Sequence, residues 1–158
     1  MDFSELVRRF GSAAASGDGE ALADLFTPDG TYDDYFFGPS TGREAIKRLL
    51  AQFGDGGRNF RWELYDPVRC GSIGYASYRF SYDSTRAEAK GARVVFDGIG
   101  RFELEGDRIK RYSEVFDRGM ALAQQAFAPE HLAKILLNYA DAARARPEWQ
   151  SHRPPRDH

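Results

Sequence analysis

Asp34 stands where an ionised side chain is costly. Tyr35, Phe36 and Phe37 follow it directly, and a carboxylate among such rings is partly stripped of water. Desolvation disfavours the charged form, raises the pKa and makes the group a better base near neutral pH. The competing reading of Asp34 is a solvated or salt-bridged strand residue. Asp33 falls on the opposite side of an extended chain, so it should meet solvent or an arginine. Other bases are scarce. The three histidines, His131, His152 and His158, all lie in the last stretch of the chain. Cys70 is the single cysteine, which excludes an internal disulfide and a thiolate metal cluster. No Cys, His and carboxylate set has metal-ligand spacing, and no glycine-rich phosphate loop is present. Chemistry in this chain would therefore run on carboxylates, Tyr and Arg, with no metal or organic cofactor expected.

The elements that must position these groups come from one domain of 158 residues. Aromatic residues make up 14% of the chain, so rings either fill a dense core or line a cavity. A formal net charge of −2 offers nothing to a phosphate backbone, which argues against nucleic acid. No apolar run approaches the roughly 18 residues of a membrane helix. The acidic start, Met1-Asp2-Phe3-Ser4-Glu5, has no apolar run behind it, so no signal peptide and a cytoplasmic location are expected.

Phe3, Leu6, Val7, Phe10 and Ala14 predict an amphipathic helix over about residues 3 to 16, with Asp2 and Glu5 as a capping pair. Asp18 caps a short second helix that should bury Leu22, Leu25 and Phe26. Pro28-Asp29-Gly30 reads as a turn and Thr31 to Phe37 as a strand. Thr41-Gly42-Arg43-Glu44 has capping-box spacing, ahead of Ile46, Leu49, Leu50 and Phe53 on one helical face. Four β-prone segments follow: Phe60 to Arg69, Ile73 to Tyr82, Ala92 to Leu104 and Arg108 to Phe116. Helices followed by consecutive long strands predict an α+β fold with an antiparallel sheet. Leu132, Ile135, Leu136 and Tyr139 predict a further helix over 129–145, with Pro129 in its first turn. Residues 1–146 are read as the domain and 147–158 as a flexible polar tail.

Two stretches resemble the nuclear transport factor 2-like superfamily, in its SnoaL-like, ketosteroid isomerase-like and limonene epoxide hydrolase-like branches. One runs from Leu22 through Phe26-Thr27-Pro28-Asp29-Gly30-Thr31-Tyr32-Asp33-Asp34, with Gly42-Arg43-Glu44-Ala45-Ile46 beyond it. The other is Gly106-Asp107-Arg108-Ile109 leading into Tyr112-Ser113-Glu114-Val115-Phe116-Asp117. The resemblance covers roughly residues 3 to 118. It implies a cone-shaped α+β barrel whose curved sheet wraps the N-terminal helices and opens on an apolar ligand. It also implies a homodimer through the outer face of the sheet. The fold hosts many reactions, so it does not name one.

The resemblance assigns roles residue by residue. Asp34 matches the general-base aspartate of ketosteroid isomerases. In limonene epoxide hydrolases the same place holds an asparagine that positions the attacking water, and Tyr32 matches a tyrosine there. Glu114 matches their catalytic aspartate, one methylene longer, and an ion pair with a neighbouring arginine is the alternative. Arg79 falls near their Arg-x-Asp, but Ser81 then stands where the acid should be, and a surface arginine is the alternative. Asp117 reads as a cap or surface pair. Phe10 replaces the oxyanion-binding tyrosine of the isomerases, and Gly98, with Asp97 beside it, replaces their second acid. Both departures argue against a steroid isomerase. The implied function is a cofactor-independent acid/base enzyme of isomerase, cyclase, dehydratase or hydrolase type. Its substrate would be hydrophobic: aromatic, polyketide, terpenoid or steroid-like. The alternative is a non-catalytic ligand-binding or dimeric interaction module.

Overall fold

The computed structural model describes residues 1–152. Helix α1, Phe3–Ser16, starts where the Asp2 carboxylate accepts from Glu5 N–H at 2.8 Å and ends at Gly17, whose φ is 75°. Helix α2, Gly19–Asp24, is capped by Asp18. It ends before Phe26, which opens strand β1, Phe26–Asp34, instead of closing the helix. Pro28-Asp29-Gly30 does not end the strand either. It is the irregular part of β1, where the register shifts. Tyr35–Phe37 form a turn and not the end of a strand, and β2, Gly38–Thr41, follows. Helix α3, Arg43–Gly56, has Gly42 as its N-cap at φ 86° with no side-chain capping bond, so the expected capping box does not form.

The sheet order is β2-β1-β6-β5-β4-β3, with β3 at Gly57–Cys70, β4 at Ile73–Ser84, β5 at Arg93–Glu105 and β6 at Arg108–Phe116. This is the antiparallel sheet that the strand pattern predicts, curved as the resemblance implies, and antiparallel at every pair but one. Strand β1 runs parallel to β6. The sheet stays open between β2 and β3.

Alternation along the strands sends one set of side chains inward, where α1 and α3 cover it. Phe10 on α1 is wholly buried and meets the rings of Phe26, Tyr32, Trp62, Phe102 and Tyr112 at centroid distances of 4.5 to 6.4 Å. Ile46, Leu49 and Leu50 on α3 join the same core. A second cluster, built on Tyr78, Tyr82, Val94 and Phe96, sits beside Phe36, Phe60, Phe80 and Phe116, which are only half-buried. Phe53, expected in the core, is half-buried as well, because all four of these rings and Phe53 border a cavity.

Two helices close the chain. Asp117 caps α4, Arg118–Ala123, through the Met120 N–H at 2.8 Å. Helix α5, Pro129–Ala145, has the predicted proline in its first turn. Its Leu132, Ile135, Leu136 and Tyr139 are half-buried, and none of its residues is fully buried. Pro147–His152 form a 3-10 helix, and the rest of the predicted tail lies outside the described residues.

Candidate functional site

The parallel pair brings two acids together. Tyr32 faces Tyr112 and Asp33 faces Ser113 across β1 and β6, so the next step along both strands sets Asp34 beside Glu114. Both point inward and are nearly sealed, at 6% and 8% exposure. Asp34 Oδ1 accepts two backbone N–H bonds from the turn, Phe36 at 2.8 Å and Phe37 at 2.9 Å. Asp34 itself lines the cavity. Glu114 Oε2 accepts from two phenols, Tyr78 at 2.8 Å and Tyr112 at 3.0 Å.

Burial pushes the Asp34 carboxyl up to about 6, against the pull of its two N–H donors. Burial, and then the charge on Asp34, push Glu114 up to about 8, although the two phenols favour its ionised form. Two adjacent carboxyls without a cation cannot both ionise cheaply, and they titrate as a unit. Near neutral pH the two carboxyls hold about one proton between them.

Strand β5 makes room for the phenols. Gly98 pairs with Tyr78, and a Cβ at Gly98 would overlap the Tyr78 ring. A Cβ at Gly100 would come within 2.8 Å of Tyr112. Where the isomerase resemblance puts a second acid, this chain has the ring of Tyr78.

The cavity above these groups has a volume of about 310 Å³. Its buried polar lining residues are Tyr32, Asp34, Tyr78, Tyr82 and Glu114. Phe60, Trp62, Phe80, Phe96 and Phe116 wall it, and the exposed Phe37 and Gln52 stand at its mouth. Among the described residues no Lys, Arg or His lines it. The Tyr32 hydroxyl and the Trp62 Nε1–H are buried and have no hydrogen-bond partner among the described residues. Burial, followed by the charges of Glu114 and Asp34, holds the Tyr32 phenol well above its ordinary pKa.

The remaining sequence candidates fall outside the cavity. Arg79 is exposed on the outer face of the sheet, 3.9 Å from Glu63 and stacked on Tyr65 at 4.6 Å. The catalytic position expected of it is corrected by strand parity: Tyr78 and Phe80 point inward, so Arg79 and Ser81 point outward. Ser81 accepts from Arg93 at 2.8 Å. Asp97 is exposed opposite Arg79. Asp33 pairs with Arg111, as its outward position predicts. Glu114 takes phenol partners in place of the arginine that was its alternative. His131 is exposed on α5, against the Phe127 ring at 5.4 Å. Among the described residues no group of three or more His, Cys, Asp or Glu side chains could hold a metal ion.

Sequence reasoning missed four residues: Tyr78 and Tyr112, which bind Glu114, the donor Trp62, and Arg118. Parity could have shown Tyr112, since it stands two before Glu114 on one strand. Arg118 has no such signal. Its guanidinium is stacked between Tyr35 at 3.8 Å and Tyr139 at 3.7 Å, and it donates to the Tyr35 carbonyl at 3.0 Å. The Tyr139 hydroxyl donates to the Phe36 carbonyl at 3.4 Å. Arg118 thus ties α5 to the turn that holds Asp34.

Comparison with known proteins gives the same architecture. A hypothetical protein with a ketosteroid isomerase-like fold from Catenulispora acidiphila, solved with trimethylamine, is 22% identical, covers 80% of this chain and 95% of its own, and has a TM-score of 0.71. A candidate polyketide cyclase from Xanthomonas campestris is 20% identical over 78% of this chain and 96% of its own, at 0.65. A limonene epoxide hydrolase-like enzyme from M. tuberculosis is 19% identical over 87% of this chain and 94% of its own, at 0.61. At these identities the likeness is one of fold. No curated protein sequence matches. The SnoaL-like domain family matches residues 7–112, which span both acids' strands up to Tyr112, and the chain belongs to that family.

Proposed function

We propose that this protein is a cofactor-independent acid/base enzyme acting on a hydrophobic small molecule, with Asp34 as the base and Glu114 as the acid. One observation carries the reading. Two buried carboxyls meet in one aromatic cavity, with pKa values pushed to about 6 and about 8, on either side of neutrality. An ionised base beside a protonated acid suits proton abstraction coupled to proton return, the core of isomerisation, cyclisation and dehydration. A lining that has no Lys, Arg or His among the described residues favours aromatic, polyketide or terpenoid-like compounds over anions. The hydrolase type has less support, because Arg79 and Ser81 lie on the outer face. That the fold can hold a small molecule is consistent with the trimethylamine complex of the Catenulispora protein.

Deuterium uptake into an enolisable aromatic ketone, β-tetralone, tests the base. Asp34→Asn should slow uptake by roughly 10²–10⁴-fold while ligand affinity stays nearly intact. The second reading is a binding module without catalysis. It is favoured by the bonds from Phe36 and Phe37 N–H to Asp34, which give that residue a turn-forming role of its own. Uptake that survives Asp34→Asn selects it. We also propose a homodimer through the outer face of the sheet, where Val95, Ile99 and Val115 are about half exposed.

A further inference from the structure

Two successive peptide groups of the Tyr35–Phe37 turn are held at both ends. The peptide between Tyr35 and Phe36 gives its N–H to Asp34 Oδ1 at 2.8 Å, and its carbonyl accepts from Arg118 at 3.0 Å. The peptide between Phe36 and Phe37 gives its N–H to the same oxygen at 2.9 Å, and its carbonyl accepts from the Tyr139 hydroxyl at 3.4 Å. Each chain of contacts runs from a side chain of α4 or α5, through one peptide, to the Asp34 carboxylate. A peptide is planar, so its C=O and N–H turn together. A partner that fixes the carbonyl also aims the N–H.

The link is electronic as well as geometric. A donor on the carbonyl polarises the amide and strengthens the bond that its N–H gives, so the bonds in such a chain reinforce one another. The Arg118 bond is the stronger of the two, because its donor is charged. The groups whose charge bears on Asp34 come from every side: Asp33 and Tyr32 on β1, Glu114 on β6, Tyr78 on β4 and Tyr139 on α5. All of these are acids or phenols. What favours the ionised carboxylate, against burial and the charge of Asp33, is the pair of N–H bonds from Phe36 and Phe37. Arg118 and Tyr139 therefore grip the turn on the two peptides that govern the charge of Asp34.

We propose that Arg118 and Tyr139 are positioning residues for Asp34, each holding the carbonyl end of a peptide whose N–H end holds the carboxylate. In its catalytic consequence the proposal rests on the reading of Asp34 as the base. Tyr139 belongs to α5 and, with Ile135, also lines the cavity. The seating of α5 over the cavity is thereby coupled to the ionisation of the acid beneath it. With the helix seated, the two N–H bonds are strong and Asp34 is more fully ionised. With the helix displaced, the bonds weaken and Asp34 keeps its proton to higher pH.

The test follows the Asp34 carboxyl carbon by NMR through a pH titration of the intact chain, with Asp34→Asn to assign the signal. Glu114→Gln serves as the common background, so that Asp34 titrates without its acid partner. Arg118→Met keeps an apolar stem between the two rings and removes the donor and the charge. Its Asp34 midpoint should rise by roughly 0.5 to 1 unit, about the worth of one hydrogen bond. Tyr139→Phe changes no charge and keeps the ring, and it should raise the midpoint by less. The amide protons read each peptide separately: Arg118→Met should move the Phe36 signal upfield, and Tyr139→Phe the Phe37 signal. The proposal is overturned if the midpoint stays or falls in Arg118→Met. It is equally overturned if the midpoint rises there while both amides stay in place, since the guanidinium would then act through its charge alone. With Glu114 restored, deuterium uptake from β-tetralone at pH below the acidic limb should slow roughly 3- to 10-fold in Arg118→Met, the same shift read as a rate. A midpoint and amides that move as expected while the acidic limb does not would sink Asp34 as the base and leave its two positioning residues standing.

Discussion

At the scale of the residue, the site is a problem of one proton between two carboxyls. On the reading of Asp34 as base and Glu114 as acid, the pair is active with one proton between its members, so the rate should follow a bell with limbs at about 6 and about 8. A pH profile of deuterium uptake that keeps rising beyond the upper limb would remove Glu114 from the mechanism. The same shifts have a sign in stability. Both carboxyls are raised above their ordinary values, so the folded state holds its protons more tightly than the unfolded chain does. The stability this contributes is complete at low pH and is lost as pH rises through about 6 and about 8. Surface ion pairs change with pH too, so the clean quantity is a difference. Glu114→Gln keeps an acceptor for Tyr78 and Tyr112 and cannot ionise. Its melting temperature relative to the parent should climb as pH is raised from about 6 to about 9. A constant difference would mean that Glu114 does not titrate in that range.

At the scale of the element, α5 has no fully buried residue, and Arg118 stacks on its Tyr139. The guanidinium between Tyr35 and Tyr139 joins three segments: the β1–β2 turn, the start of α4 and the middle of α5. A desolvated cation–π contact is worth about 0.5–2 kcal/mol. Arg118→Ala should cost about 1–2 kcal/mol of stability and speed ligand release, since Ile135 and Tyr139 of α5 line the cavity. Stopped-flow release rates equal to the parent's would show that α5 does not cover the ligand. This element was half legible in the sequence. The stripe Leu132, Ile135, Leu136 and Tyr139 showed a helix with one apolar side, but nothing local says that an arginine before it will be stacked on one of those residues. The Tyr35–Phe37 turn was misread for a related reason. Aromatic residues favour strands on average, and here two backbone N–H bonds to Asp34 outweigh that preference. The Thr41–Glu44 spacing promised a cap, but Gly42 takes the capping position at positive φ.

At the scale of the whole molecule, the sequence showed which faces of the strands are apolar and not which strands are neighbours. Alternation put Glu114 and Tyr112 on one side of β6, but the parallel pairing that sets Glu114 beside Asp34 joins segments some eighty residues apart, beyond the reach of any local pattern. Arg79 failed for the complementary reason: one step of register separates the pocket from the outer face. That outer face carries the remaining expectation. Ile99 and Val115 face each other across β5 and β6 and are 48% and 55% exposed. Ile99→Lys puts a charge in the middle of this patch, and sedimentation should show a dimer in the parent and a monomer in the variant. A parent that sediments as a monomer at high micromolar concentration would leave the patch without a partner of its own kind.

The volume shared by Gly98 and Tyr78 constrains the history of the chain as well as its packing. An acid at position 98 would have to displace the Tyr78 ring, while losing that ring first strips Glu114 of one of its two phenols. Either order passes through an ancestor with a clash or with a buried acid short of a donor. An acid at 98 and a tyrosine at 78 therefore exclude each other on this pair of strands, and exchanging one for the other takes both changes together.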